Sequence, residues 1–133
     1  MEINDSKTSF IRSDKFFPSV NMSFPSITYK QYQRINNGKN FDRWVWGEND
    51  DGKIIACAAI FRGYKIGVLC VHPDYRRQGI GTTFYSYLVS QYYPLEWTAI
   101  TEESIKFYNK MGAVNKGLIT KSDGKTYTIF NSK

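Results

Sequence analysis

Ile54-Ile55-Ala56-Cys57-Ala58-Ala59-Ile60-Phe61 is a continuous apolar run of strand length, opened by β-branched residues and bounded by turn signals. A half-exposed strand alternates; an unbroken run suits a strand covered on both faces. The run therefore predicts a sheet with helices outside it. At 133 residues the chain is about one domain, long enough to bury such a core without staples. With 41% hydrophobic and 23% charged residues, wholesale disorder and a disulfide-built miniprotein are excluded. No stretch approaches the ~18 apolar residues of a spanning helix. Residues 1–5 lack a basic and then apolar signal. Cys57 and Cys70 are too few for a framework and show no metal-ligand spacing. A single-domain cytoplasmic protein with no metal and no membrane partner is expected over 1–133.

The elements follow from the punctuation. Residues 1–40 are the least regular: Pro18 and Pro25 break them, and Phe10, Ile11, Phe16, Phe17 and Phe24 show no sustained period. A helix is predicted after Pro25, with Thr28 and Gln31 spaced as a capping box, Ile27, Tyr32 and Ile35 apolar, and Asn36-Asn37-Gly38 as its end. Trp44-Val45-Trp46 and residues 53–61 read as strands joined by Asn49-Asp50-Asp51-Gly52. After Arg62-Gly63-Tyr64, residues 65–72 read as a third strand, stopped by Pro73. From Gly79 the period becomes 3.6, with Ile80, Phe84, Tyr87 and Leu88 on one face, until Pro94. A strand over 95–100, a helix over 101–110 capped by Gly112, and a hairpin of Leu118-Ile119 with Tyr127-Thr128-Ile129-Phe130 complete a mixed α/β sheet.

Chemistry concentrates where the third strand becomes a helix, in Val68-Leu69-Cys70-Val71-His72-Pro73-Asp74-Tyr75-Arg76-Arg77-Gln78-Gly79-Ile80-Gly81-Thr82. A first helical turn leaves backbone N–H groups unpaired at the positive end of the helix dipole. Gly79 and Gly81 let a phosphate approach them, and Arg76 and Arg77 add full charges. The spacing is Arg-x-x-Gly-x-Gly, which is neither a Walker loop nor a dinucleotide fingerprint. The bland alternative is a glycine turn with two solvated arginines. The preceding strand, the following helix and the double arginine together favour a pyrophosphate cradle.

VHPDYRRQGIG, with its strand and helix, resembles the acetyl-coenzyme A motif of the GNAT N-acetyltransferases. Arg76, Gly79 and Gly81 match that family's Gln/Arg-x-x-Gly-x-Gly/Ala. Downstream, Ser104-Ile105-Lys106-Phe107-Tyr108-Asn109-Lys110-Met111-Gly112-Ala113 is similar to its A-x-x-F/L-Y-E-K-x-G-F. The two motifs span 69–113, and the strand order extends the resemblance to about 41–130. It implies a central mixed, mostly antiparallel sheet flanked by helices, with 41–133 as coenzyme-binding core and 1–40 as a variable acceptor-side segment. It also implies acetyl-CoA as cosubstrate.

Position by position, the resemblance implies that Leu69, Cys70 and Val71 pair with the pantetheine arm, and that the Val71 N–H faces the thioester carbonyl. The N–H groups of Arg77, Gln78, Gly79, Ile80, Gly81 and Thr82 would hold the pyrophosphate. Tyr108 matches the tyrosine beside the coenzyme sulfur. A leaving thiolate needs a proton, which a neutral phenol of reference pKa ~10 supplies; ordinary helix packing is the alternative. Leu95-Glu96-Trp97 resembles the Leu-Glu-Val of ribosomal-protein N-terminal acetyltransferases, with the same spacing to the tyrosine. Glu96 is thus a candidate base for an attacking amine, against the equal alternative of a solvent-facing strand residue. Thr101 stands where the family usually has asparagine, and its shorter hydroxyl would have to reach the pantetheine arm. Ala113 replaces the final aromatic.

The remaining chemistry-bearing residues have simpler readings. Glu102 and Glu103 suit a helix first turn, and Glu48 is a weaker candidate base. His72, the sole histidine, precedes Pro73 at a strand end, a commonly structural place. Cys57 and Cys70 read as core, with a Cys70 nucleophile as the alternative. The balance of 18 basic to 12 acidic residues gives +6 and makes a phosphate-bearing partner reasonable. Basic residues are scattered, however, so nucleic acid is not the expected partner. The same charge disfavours a strongly cationic acceptor such as a polyamine. A peptide or protein amine is the expected acceptor, and a small-molecule amine the alternative. A non-catalytic coenzyme A binder, a basic nucleic-acid-binding protein and a homodimer all stay open.

Overall fold

Four helices and seven strands are formed by the described residues of the computed structural model, which are 1–6, 13–76 and 78–132, with only the backbone of 13–15. Phe10, Ile11 and Arg77 lie outside the described residues. In chain order the elements are β1 (Glu2–Asp5), α1 (Ser13–Ser23), α2 (Tyr29–Asn36), β2 (Phe41–Glu48), β3 (Ile54–Phe61) and β4 (Lys65–Val71). Then come α3 (Ile80–Gln91), β5 (Glu96–Ala99), α4 (Glu102–Lys110), β6 (Val114–Thr120) and β7 (Thr126–Asn131). The strands make one sheet in the order β1-β2-β3-β4-β5-β7-β6. Every neighbouring pair is antiparallel except β4 with β5. Among the described residues no helix is long and apolar enough to cross a membrane.

The apolar run is the central strand β3, buried on both faces as its composition requires. Ala56, Ala58 and Ile60 pack with Phe84, Tyr85 and Leu88 of α3 and with Trp97, Tyr108 and Phe130. Cys57 and Ala59 pack on the other face with Phe16, Val20, Tyr32, Ile35, Trp44 and Trp46. Small side chains on β3 leave room for these rings; Trp46, Phe84 and Phe130 are among the largest fully buried groups. The turn before β3 is held by Asn49, whose Oδ1 accepts from the N–H groups of Asp51 and Lys53, both at 3.0 Å. Its Nδ2 donates to the Tyr75 hydroxyl at 2.9 Å and ties this hairpin to the turn after β4.

Helix α2 begins as its cap predicts, with Thr28 Oγ1 accepting from the Gln31 N–H. Residues 1–40 correct the sequence reading. Pro18 does not break the chain; it lies inside α1. It is the sixth of eleven residues there, so the helix forgoes one i→i−4 bond, to the carbonyl of residue 14, and the burial of its apolar face outweighs that loss. Phe16, Val20 and Phe24 recur every fourth residue and are buried, a helical period that the proline obscured. Strand β1 is four mostly polar residues on the sheet edge, too short to be read from alternation.

Phe16 is enclosed by Tyr32, Trp44 and Trp46 at ring-centroid distances of 6.2, 5.7 and 5.0 Å. Phe16→Ala should cost about 3–5 kcal/mol of unfolding free energy. Met22→Ala, on the same helix but 78% exposed, should stay within about 0.5 kcal/mol. Urea titration of both variants compares them directly.

Candidate active site

The site begins where two strands part. Lys65 and Glu96 are the register pair between β4 and β5, joined by the Glu96 N–H donating to the Tyr64 carbonyl at 2.8 Å. Beyond that pair the strands diverge, since β4 follows β3 to Val71 and β5 follows β7. The His72 N–H donates to the Ile55 carbonyl at 2.8 Å, which sets the alternation along β4. Residues 68, 70 and 72 spend their backbone groups on β3, whereas those of Leu69 and Val71 turn towards the gap. Arg76 Nε donates to the Val71 carbonyl at 3.3 Å. A cavity of about 640 Å³ opens there, lined by Leu69, Val71, Arg76, Gly79, Gly81, Thr82, Thr101 and Tyr108 among others.

The two helix starts bordering this cavity are finished differently. Helix α4 is self-capped: Thr101 Oγ1 accepts from the Ser104 N–H at 3.2 Å, and Glu102 and Glu103 offset the dipole. Helix α3 is capped by Gly79, with no side-chain bond to its first N–H groups and no acid in its first turn. Its positive end therefore faces the cavity uncompensated. Gly79 has φ +78°, and a Cβ there would meet nothing within 4 Å. A Cβ at Gly81 would lie 3.7 Å from the Phe107 ring and 3.8 Å from Val71, in ordinary contact. Packing within the protein does not demand glycine at Gly81. A side-chain-free backbone at this open helix start fits the pyrophosphate of coenzyme A.

Tyr108 stands across the cavity from this turn. Its ring packs on Trp97, Phe130 and Tyr85 with centroids at 5.2, 5.4 and 6.0 Å. Burial, with smaller contributions from Tyr85 and Cys70, holds its phenol far above the ordinary value, so it stays protonated at neutral pH. The helix end fixes its backbone. The Ala113 N–H donates to the Tyr108 carbonyl at 3.1 Å and the Gly112 N–H to the Asn109 carbonyl at 3.1 Å. This is a Schellman cap, with Gly112 at φ +81°.

The other expected residues are distributed around this centre. Cys70, Gln78 and Ile80 do not line the cavity. The Cys70 side chain faces the α1 and α2 side, Gln78 Nε2 donates to the Asp74 carbonyl at 3.1 Å, and Ile80 packs against the core. Thr101 lines the cavity, but its hydroxyl donates to Ser104 Oγ at 2.7 Å, so the cap occupies it. Glu96 is half-buried at the start of β5, outside the cavity lining. Trp97 and Ala99 belong to the α3 and α4 face, so Glu96 points to the opposite one. His72 Nδ1 accepts from the Asp74 N–H at 3.2 Å and caps a single 3-10 turn over Pro73–Tyr75. Glu103, Ser104, Phe107 and Lys110 complete the α4 wall. Sequence reasoning missed this lining, although 103, 107 and 110 share a helical face. Among the described residues no group of three or more His, Cys, Asp or Glu is placed to hold a metal ion.

Comparison with known proteins bears on the fold. The family model of the acetyltransferase (GNAT) domain matches residues 41–112. Among solved structures, the ribosomal-protein-S18-alanine N-acetyltransferase from Escherichia coli superposes with a TM-score of 0.70 at 17% identity, covering 98% of this chain and 92% of that one. A GNAT-family acetyltransferase from Bacillus cereus gives 0.71 at 17% identity, covering 100% and 98%. An aminoglycoside 6'-N-acetyltransferase complexed with coenzyme A gives 0.68 at 13% identity, covering 98% and 96%. The sequence matches none of the curated proteins. At such identities the structural likeness concerns the fold.

Gly79→Asp tests the turn. A left-handed non-glycine residue costs about 1–2 kcal/mol, so the variant should fold with a lowered melting temperature. Acetyl-CoA should raise the melting temperature of the parent, as a native-state ligand does, and leave that of the variant unchanged. Equal coenzyme affinity in both proteins by calorimetry would remove the turn from the site.

Proposed function

The chain belongs to the GNAT acetyltransferase family, whose acetyl donor is acetyl-CoA, and we propose that this member transfers the acetyl group to a primary amine by direct attack. The observation that carries the reading is the wedge between β4 and β5, walled by the open start of α3 on one side and Tyr108 on the other. Bound coenzyme supplies an activated thioester. The N–H groups of Gly79, Ile80, Gly81 and Thr82, with Arg76 and Arg77, hold the pyrophosphate. Backbone groups of Leu69 and Val71 align the pantetheine arm, and the Val71 N–H polarises the carbonyl. Tyr108, kept neutral by burial, donates its proton to the departing sulfur. Glu96, or water that it orders, takes the proton from the amine on the opposite face of the sheet.

The acceptor we favour is a peptide or protein amine. The fold itself does not choose, since one neighbour acts on a ribosomal-protein alanine and another on an aminoglycoside. Leu95-Glu96-Trp97, with a glutamate twelve residues before the tyrosine, supports the peptide reading. A net charge of +6 works against a polyamine. The acceptor side is assigned to α1, α2 and the β6–β7 hairpin. Acetylation of an amine panel that includes peptide N-termini, lysine, aminoglycosides and polyamines, followed by release of free thiol, tests the whole reading. No thiol release above background with any amine would overturn it.

Tyr108→Phe keeps the ring packing and removes the proton. Turnover should fall about 10²–10⁴-fold with coenzyme affinity nearly kept. Because Tyr108 titrates far above neutrality, the parent profile should show no limb below about pH 10 that disappears in this variant.

Glu96→Gln keeps the shape and removes the charge. Turnover should drop at neutral pH and recover partly at high pH, where more of the amine is already unprotonated. The pH dependence of kcat/KM in parent and variant measures this. Superimposable profiles would assign the proton transfer to water alone.

A further inference from the structure

Cys57 and Cys70 take no part in the chemistry above, yet they are direct cross-strand partners on β3 and β4. The alternation set by the bond from His72 to Ile55 makes them a hydrogen-bonded pair, a position where Cα atoms sit about 5.5 Å apart. Disulfides span Cα separations of roughly 4.4–6.8 Å with Cβ atoms roughly 3.5–4.5 Å apart, so this pair, whose Cβ atoms lie about 5.5 Å apart by its type, must draw together by about 1 Å to close. Both side chains enter the same cluster, beneath α1 and α2. Both thiols are free, Cys57 fully buried and Cys70 half-buried. We propose that Cys70 is a peroxide-sensitive thiol that closes a reversible disulfide with Cys57 across the centre of the sheet.

The environment separates the two roles. The neighbouring Cys57 thiol lowers the Cys70 pKa, burial opposes the shift, and Arg76 reinforces it. The neighbouring Cys70 and deep burial push the Cys57 thiol well up. Cys70 is thus the partner that solvent reaches and whose thiolate is favoured, which suits attack on an oxidant. In the first step the Cys70 thiolate attacks a peroxide oxygen, the O–O bond breaks, hydroxide leaves, and the sulfur becomes a sulfenic acid. In the second, the Cys57 sulfur attacks Cys70, the S–S bond forms, and the sulfenic oxygen leaves with the thiol proton as water. Peroxide is reduced and two thiols are oxidised; a dithiol reductant reverses the bridge by exchange.

The whole parent protein, treated with hydrogen peroxide and then denatured with iodoacetamide, gives the test by intact mass and peptide mapping. Both thiols should lose alkylation together, the mass should fall by two hydrogens, and dithiothreitol should restore both. Cys57→Ala should stop at a sulfenic acid on Cys70 that dimedone captures. The parent result decides by itself if that variant is unstable. Persistent alkylation of both cysteines, sulfinic acid at Cys70 without a bridge, or a disulfide between two molecules would each overturn the proposal.

Discussion

The single register pair joining β4 to β5 is the constraint from which the rest of the molecule follows. Each strand is committed on its other side: β4 runs along β3 through a ladder with one register shift between Ala59 and Ile60, and β5 along β7 from Glu96 to Ala99. Ser132 strengthens the second commitment. Its hydroxyl accepts from the Leu95 N–H at 2.6 Å, and its N–H donates to the Leu95 carbonyl at 2.9 Å. Two antiparallel half-sheets are therefore joined edge to edge at one end and diverge at the other. The rings of Tyr85, Trp97, Tyr108 and Phe130 pack together on one face, in a cluster that also takes in Ala56, Ala58 and Ile60 of β3 and so spans both halves.

Electrostatics then distinguishes two helix starts that look alike in outline. Helix α4 satisfies its own terminus with Thr101 and two glutamates. Helix α3 starts at a left-handed glycine with neither a side-chain cap nor an acid. Leaving donors open costs stability at α3, and the cost falls beside the cavity. Natural sequences break local rules of this kind mainly at functional sites. Gly81 supports the same interpretation, because its surroundings would accept a methyl group.

Much of this was legible from residues 41 onward. The eight-residue apolar run, the change of period at Gly79 and the glycine after α4 each expressed one dominant local preference. The glycine turn and Tyr108 were legible because the two segments carry dense, ordered motifs. Three things were hidden. Pro18 masked a helix whose Phe16, Val20 and Phe24 already had the right spacing. Strand β1 is polar and short, and only pairing with β2 defines it. The α4 lining through Glu103 and Lys110 depends on how the helix is rotated against the gap, which tertiary packing sets. The Thr101 hydroxyl shows the same effect on a smaller scale: its engagement with Ser104 follows from its place at the cap.

A sheet joined by one rung has a mechanical weak line through its middle. A molecule that bonds along the backbone of Leu69 and Val71 acts there as an additional strand. In the binding mode proposed above, a coenzyme held along β4 would extend the first four strands into the gap that opens before the last three. It would then be, while bound, a piece of the sheet's inner edge.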